Sequence, residues 1–358
     1  MGLGAVVAIG SKKKELAGDA GASNEKGSEA IADRPSWPAG SLECLEVLGR
    51  SLVERTVERF AAIDIDCISV LVESGTYVPP FRTAHENVTV EVVSNLNVAI
   101  GQKLQEHAQR GIDHSFINGS DTYAETDLLD LFCFHRESRQ TATPTYGEDG
   151  ALALWVVNCA KAQDLPIETL FARAERGSRY FVRGYLRRLN QVRDLRQTAA
   201  DMLQGRCETR PSGRQERPGV WKDQGAEVHR RARIVAPAYI GCGSKVRADA
   251  LITRFSNIER DCCVDSGTVV EDSTILANTS VGICLDLCHA VVSGNKLFNL
   301  ERDVMIEVAD PDVLRSTAAT RKPFASMIER SDQPEKVPDS RKLHQIPEWQ
   351  FGGNLIQE

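Results

Sequence analysis

Two polar stretches, each directly after a predicted buried strand, contain the residues best suited to phosphate chemistry. The first stretch follows the apolar run 5–9 and consists of Gly10, Ser11, Lys12, Lys13 and Lys14. Glycine lets the backbone approach a ligand closely, and lysine ammonium groups attract phosphate as point charges. Residues 10–14 therefore form a loop whose three lysines could attract a phosphate group.

The second stretch ends in Asp121, just beyond the predicted strand Ser115–Asn118. A carboxylate in such a loop could bind Mg²⁺ through its oxygens, or it could simply be a turn residue, and the sequence leaves both interpretations open. Asp127 has a more ordinary use, because it directly precedes the helical pattern that begins at Leu128 and can cap that helix.

The elements that would position these residues alternate in type along the first 160 residues. The pattern predicts strands over 5–10, 65–72, 88–93, 115–118 and 152–157, and helices over 52–60, 97–110 and 126–139. Such alternation predicts a doubly wound α/β domain with a mostly parallel sheet, whose ligands lie at the carboxyl ends of the strands. Residues 11–40 contain few large apolar side chains, and we expect them to be flexible.

A different pattern, a strict period of six, begins at residue 226. An aliphatic residue recurs without a gap, at Val228, Ile234, Ile240, Val246, Ile252, Ile258, Val264 and Val270. A small residue comes two positions before each of them, from Ala226 to Thr268. This period is typical of a solenoid of short strands in which each buried aliphatic residue contributes about 1.5–3 kcal/mol.

We predict that the register of this repeat shifts by one residue after Val264, to Val269, Ile275 and Val281. The segment 296–308 would then form a last coil or a cap over the end of the solenoid.

Composition restricts the class of protein. The chain has 358 residues, a net charge of −7 and ten cysteines without a Cys-x-x-Cys pair. We predict reduced thiols, a cytoplasmic location and no membrane association, because the sequence has neither a signal-peptide pattern nor a run of 18 apolar residues. The negative charge argues against wholesale nucleic-acid binding.

Several segments resemble motifs of the sugar-phosphate nucleotidyltransferases, also called nucleotide-sugar pyrophosphorylases. The resemblance covers most of residues 1–290 and lies in segments 47–55, 116–121, 182–186 and 219–221. The repeat itself resembles the hexapeptide repeat of left-handed β-helix proteins, most closely at residues 238–241. The resemblance implies a Rossmann-like nucleotidyltransferase domain followed by a left-handed parallel β-helix.

The resemblance also implies boundaries and partners. We expect a nucleotidyltransferase-like domain over 1–172, an Arg-rich helical linker over 173–219, the β-helix over 220–310 and a polar tail over 311–358. Proteins of this family transfer a nucleotidyl group from a nucleoside triphosphate to a sugar 1-phosphate and release pyrophosphate. Homo-oligomers are expected, since flat faces of β-helices pack together.

Site residues follow from the same resemblance. Asp121 would be a catalytic residue and the Mg²⁺ ligand, and Arg50 a second catalytic residue. Gly10 and residues 11–14 would bind the nucleotide, and Gly184 and Tyr185 the sugar.

The chain departs from the family pattern at four places. The phosphate loop keeps one glycine, Leu42 replaces the lysine expected there, Ser120 interrupts the Gly-Asp pair, and Arg188 replaces the second metal-binding aspartate. These changes leave an alternative open, in which the protein is a non-catalytic subunit that binds a nucleotide sugar or serves in regulation or assembly. A third possibility is a hexapeptide-repeat acyltransferase with His229 or His289 as general base, although surface roles are commoner for such histidines.

Overall fold

The computed structural model of the protein describes residues 2–10, 41–76, 78 and 85–317. The described residues of the N-terminal part (2–203) form the α-helices α1 (Leu52–Ala61), α2 (Leu96–Gln109), α3 (Leu128–Ser138), α4 (Cys159–Ala162), α5 (Ile167–Ala174) and α6 (Val192–Leu203). Its strands are β1 (Gly2–Ile9), β2 (Glu46–Val47), β3 (Arg50–Ser51), β4 (Cys67–Glu73), β5 (Val88–Val93), β6 (Ile112–Gly119), β7 (Thr122–Glu125), β8 (Ala142–Gly147), β9 (Gly150–Asn158), β10 (Tyr180–Phe181) and β11 (Tyr185–Arg188).

Seven strands form the central sheet of the N-terminal part, in the order β10-β8-β9-β6-β1-β4-β5. Neighbours from β6 to β5 run parallel, whereas β9 is antiparallel to both β6 and β8. Apolar side chains project from both faces of the sheet: one face packs on α1 and α3, and the other on α2, α4 and α5. The predicted mixed α/β architecture with a parallel-rich sheet is therefore confirmed, including the strand at Val88–Val93.

Beyond α6, the repeat region (residues 214–316) consists of short strands. They are β12 (Arg214–Arg217), β13 (Val220–Lys222), β14 (Glu227–Val228), β15 (Arg233–Ile234), β16 (Ala238–Ile240), β17 (Lys245–Val246), β18 (Leu251–Thr253), β19 (Asn257–Ile258), β20 (Cys263–Val264), β21 (Val269–Glu271), β22 (Thr274–Ile275), β23 (Thr279–Val281), β24 (Asp286–Cys288), β25 (Ala290–Ser293), β26 (Lys296–Asn299), β27 (Val304–Glu307) and β28 (Leu314–Ser316).

Successive strands of the repeat region belong to three different sheets. From β13 to β22, each strand pairs in parallel with the third strand after it, so that Val228 lies beside Val246, and Val246 beside Val264. The side chains of the repeating aliphatic positions point to a shared interior, in which the residues at these positions from Ile240 to Val270 are buried, while Val228 and Ile234 are partly buried. The period of six thus corresponds to one strand and one turn.

The shift of register lies later than predicted. Val270 is buried in the interior and Val269 is half-buried, so the spacing of six persists as far as Val270. The next inward residue is Ile275, five positions on. The turn at Asp272, whose backbone adopts a positive φ of 43°, is therefore one residue shorter.

The small positions are occupied by side chains that fit and bond within the corners of the coil. Ser244 Oγ donates to the carbonyl oxygen of Glu259 and accepts from Cys262 N at 3.0 Å. Ser273 Oγ accepts from Ala290 N in the same way. Because these hydroxyl groups satisfy buried backbone atoms of the following coil, serine and threonine alternate with alanine there at little cost.

Antiparallel strands close parts of both ends of the repeat region. β12 covers β13 at one end, and β26 and β27 extend the largest sheet past β25 at the other. The segment 296–308 is therefore an antiparallel hairpin, which fits the predicted cap and not a further parallel coil. β28 returns along β23 in the same antiparallel sense.

The N-terminal part and the repeat region share an apolar core. The outer face of the largest sheet presents Tyr239, Leu276 and Val291 to Leu48 and to α6. Residues 173–219 contain β10, β11, α6 and β12, and α6 is buried along this junction.

Candidate functional site

A cleft of about 240 Å³ opens at the carboxyl ends of β1 and β6. It is lined by Val7, Ile9, Glu43, Leu52, Val53, Thr56, Asn118, Gly119, Ser120, Thr122, Tyr123 and Leu189. This is the edge at which an open α/β sheet presents ligands. That volume includes open solvent, so the enclosed space is smaller still and lies below the range of about 300–1,000 Å³ that is usual for ligand pockets.

Gly10 follows the last residue of β1 at this edge. A Cβ atom at Gly10 would lie 2.6 Å from Leu96 Cδ1, so the glycine permits close packing against the start of α2. The rest of the candidate loop, Ser11, Lys12, Lys13 and Lys14, lies outside the described residues.

Asp121 lies in the exposed turn between β6 and β7. Its Oδ1 accepts a hydrogen bond from Thr122 Oγ1 at 2.9 Å, and its carbonyl accepts from Leu189 N at 2.7 Å. The pairing of β6 with β1 continues without a bulge as far as Gly119, so Ser120 extends the turn.

Arg188 is brought next to Asp121 by the pairing of β11 with β7. It lies directly opposite Thr122, the residue after Asp121. Its Nη2 donates to the carbonyl oxygens of Asp149 and Ala151, at 3.1 and 2.7 Å. The guanidinium is therefore tied to the β8–β9 turn.

These residues do not fit the Mg²⁺ that the resemblance implies. Magnesium needs several oxygen ligands in octahedral geometry, whereas an arginine offers only donors. Within the described ranges, no three His, Cys, Asp or Glu side chains are grouped closely enough to hold a metal ion. Asp121 lies one residue before Thr122, the cross-strand partner of Arg188.

One turn of 3-10 helix, Leu42–Cys44, forms another wall of the cleft. Leu42, at the position of the expected lysine, is buried in the apolar core. Glu43 is also buried, lines the cleft and accepts a hydrogen bond from Ser41 Oγ. Burial raises the pKa of the adjacent Cys44 thiol, and the carboxylates of Glu43 and Glu54 raise it further. Among the described residues, the cleft lining therefore holds a buried carboxyl group and no lysine next to the position of Leu42.

Arg50 lies outside the cleft lining. It is half-exposed and forms an ion pair with Glu58 of α1. The next residue, Ser51, caps α1: its hydroxyl accepts from Glu54 N, and Glu54 accepts from Ser51 N. The motif around Arg50 thus starts a helix.

The contacts of Gly184 and Tyr185 also indicate structural roles. Gly184 has a φ of +126°, and a Cβ there would lie 2.3 Å from Glu125 O. Tyr185 donates its hydroxyl hydrogen to Asp201 Oδ2 of α6 at 2.9 Å, and burial raises the pKa of Tyr185 to about 12. Neither residue lines the cleft.

Asp201 itself is a buried centre of hydrogen bonding that the sequence analysis missed. Besides Tyr185, it accepts from Arg187, Gln197 and Arg206. Burial by itself raises the pKa of Asp201, but the hydrogen bonds from Gln197, Arg187 and Tyr185 outweigh it and lower the pKa. Two arginines of the segment 173–219 are therefore used internally, as structural partners.

Glu259 is the second missed residue and links the two parts of the chain. It is fully buried, and its carboxylate accepts from Leu48 N at 2.8 Å, Gly49 N at 3.0 Å and Asn257 Nδ2 at 2.6 Å. Burial raises its pKa, although these three hydrogen bonds act in the opposite direction. A carboxylate beside a repeat aliphatic residue, Ile258, is the signal that could have marked it.

The histidines differ in environment. His289 Nδ1 lies 2.7 Å from Asp272 Oδ2, and the other oxygen of Asp272 accepts from the buried Arg196 of α6. The pair therefore joins a turn of the repeat region to α6. His135 is buried against Thr143, and burial lowers its pKa to about 4, while His229 is exposed at a corner.

Comparisons with known proteins add no assignment. No protein-family model matches the chain, and no curated protein matches it significantly. Among the helices that the structure describes, none is long and apolar enough to cross a membrane.

Proposed function

We propose that this chain is a non-catalytic relative of the sugar-phosphate nucleotidyltransferases that serves as a regulatory or assembly subunit. In this proposal the N-terminal part has the Rossmann-like transferase fold and the repeat region is a left-handed β-helix. Pairing of every third strand, at offsets of 17 and 18 residues, supports the β-helix. The parallel order β5-β4-β1-β6 supports the N-terminal assignment.

The observation that carries the proposal is the position of Arg188. The resemblance gives this position to a metal-binding aspartate, and the pairing of β11 with β7 sets it beside Asp121. A cation now occupies the place of a carboxylate, and it is held by two carbonyl groups. Two further features support the proposal: Leu42 offers no charge, and the adjacent Glu43 places a carboxyl group in the cleft lining.

The test is pyrophosphate release by the full chain with Mg²⁺ across panels of nucleoside triphosphates and sugar 1-phosphates. We expect none from protein with a cooperative unfolding transition, while an active pyrophosphorylase in the same assay gives a signal. Release that requires one particular pair would refute the proposal and favour nucleotidyl transfer with Asp121 and Arg50 as catalytic residues. In that case Asp121→Asn should abolish release and leave the fold intact.

Binding then distinguishes the two forms of the proposed role. Titration calorimetry with nucleotide sugars would detect a sensing subunit, whereas absence of heat across the panel would favour a purely assembling one. Sedimentation at micromolar concentration tests the expected homo-oligomer. The cytoplasmic location stays a prediction.

A further inference from the structure

The end of the repeat region that contains residues 227–235, here called the open coil, has uncovered strand edges. β14 and β15 each have one neighbour, β17 and β18, within the described sheets. In the third sheet the corresponding strand, β13, is covered by β12. An edge strand presents backbone donors and acceptors that a further strand can bind.

The hydrogen bonds show which groups face outward. Glu227 N and His229 N donate to the next coil, at Ser244 O and Val246 O. Because successive residues of a strand direct their backbone groups to opposite sides, the N–H and C=O of Val228 face the open edge. On β15 the carbonyl of Ile234 faces outward too, and there it accepts from the side chain of Arg217. Val228 therefore offers the accessible pair of backbone groups.

Exposed basic side chains surround this edge. Arg230, Arg233 and Arg247 are exposed, and none of them forms an ion pair with a carboxylate of the described residues. Arg247 belongs to the next coil, about 4.8 Å along the stack from His229. Two other exposed cations of this surface, Arg231 and Lys245, are paired with Asp249 and Glu227, and Arg217 donates to the carbonyl oxygen of Ile234.

This local positive charge contrasts with the net charge of −7 of the whole chain. A second copy of the open coil would bring like charges together, which opposes end-to-end stacking of two copies. The chain also lacks an acidic segment of its own outside the described residues: residues 11–40 hold five basic and five acidic side chains, and residues 318–358 hold six of each. Charge complementarity therefore favours an occupant from another protein.

We propose that the open coil binds an acidic peptide segment of a partner protein in extended conformation. The segment bonds through its backbone to Val228 and directs carboxylates to Arg230, Arg233 and Arg247. Val235, which is 42% exposed, supplies apolar contact beside the edge. This inference names a partner class for the proposed assembly role, but its test measures peptide binding and not turnover, so the two proposals can fail separately.

The test is fluorescence anisotropy of the full chain with a labelled 12-residue peptide of alternating Glu and Val. We expect binding that weakens as salt rises, since exposed charges are screened. The variant Arg230→Glu/Arg233→Glu/Arg247→Glu should bind about tenfold more weakly or worse, as three attractive pairs become repulsive. The matched control, Arg136→Glu/Arg302→Glu/Arg315→Glu, reverses three exposed arginines elsewhere and should bind like the wild type.

A second variant tests the backbone contact. Val228→Pro removes an N–H that makes no bond to β17, so the coil should keep its pairing while binding weakens. Three outcomes would overturn the proposal: unchanged binding by the triple variant, equal binding of the peptide with Lys in place of Glu, or equal or tighter binding of a 12-nucleotide single-stranded RNA. The last result would identify a general polyanion surface.

Discussion

Replacement of Glu259 by alanine should weaken the whole fold, because this carboxylate joins the repeat region to the turn before α1. Its two oxygens accept from two backbone N–H groups, of Leu48 and Gly49, and from the amide of Asn257. The turn has few alternatives: Leu48 and Gly49 both adopt positive φ, and a Cβ at Gly49 would lie 2.3 Å from the hydroxyl of Tyr239.

The magnitude follows from the groups left behind. A buried donor without an acceptor costs about 1–3 kcal/mol. Glu259→Ala strands two N–H groups and one amide, and water entering the new cavity can satisfy part of them, so we expect a loss of about 3–5 kcal/mol. Glu259→Gln keeps the shape and one acceptor oxygen, so it should cost about 1–2 kcal/mol.

Equilibrium urea unfolding, followed by circular dichroism, measures the free energy of unfolding of each variant. Glu227→Ala is the matched control, because Glu227 is an exposed residue of the same region whose pairing with Lys245 is worth at most about 1 kcal/mol. If Glu259→Ala and the control differ from the wild type by the same small amount, the carboxylate does not hold the junction and the reasoning is wrong.

Three further predictions concern single positions. Gly184→Ala should lower the free energy of unfolding, measured in urea, by about 2 kcal/mol or more, because Gly184 has a φ of +126° and an added Cβ would contact Glu125 O. The control Gly101→Ala, in open space on α2, should stabilise the fold by about 0.5–1 kcal/mol. Equal effects of the two substitutions would contradict this prediction. The buried neutral His135 has a folded pKa of about 4, below its unfolded value, so its contribution to the free energy of unfolding is present above about pH 6.5 and is lost as pH falls toward 4. His135→Asn should therefore flatten the dependence of the free energy of unfolding on pH. Parallel curves for the variant and the wild type would contradict this. Asp121→Asn should leave the free energy of unfolding unchanged within about 0.5 kcal/mol, since Asp121 is exposed; a clear loss of stability would reveal a structural role.

The regular elements could be predicted because their signals are local. Apolar runs marked β1, β4 and β5, and a period of six marked the inward positions of the repeat region. Even there, periodicity left the register shift ambiguous, because Val269 and Val270 are both aliphatic and only packing decides which one points inward.

The candidate site was less predictable. The positions of Asp121 and Arg188 in the chain were clear, but their proximity depends on the antiparallel pairing of β7 with β11. These two strands lie at least 60 residues apart in the chain. Gly184 and Tyr185 belong to a motif that resembles a sugar-binding element, but in the folded chain Gly184 packs against Glu125 O and Tyr185 bonds to Asp201. Glu43 lines the cleft only because the turn that contains it lies next to the carboxyl ends of β1 and β6 in the folded chain.

The sequence by itself determined the mixed α/β character of the first part, the repeat after it and the side-chain types available at each motif. These follow from local periodicity and composition, which act over a few residues. Only the tertiary structure decided that Glu259 binds the turn at Leu48 and that Arg188 pairs with the residue after Asp121. It also decided that three arginines without an ion pair among the described residues lie around the open coil. Such contacts join residues far apart in the chain, and their energies depend on burial and geometry, which exist only once the chain has folded.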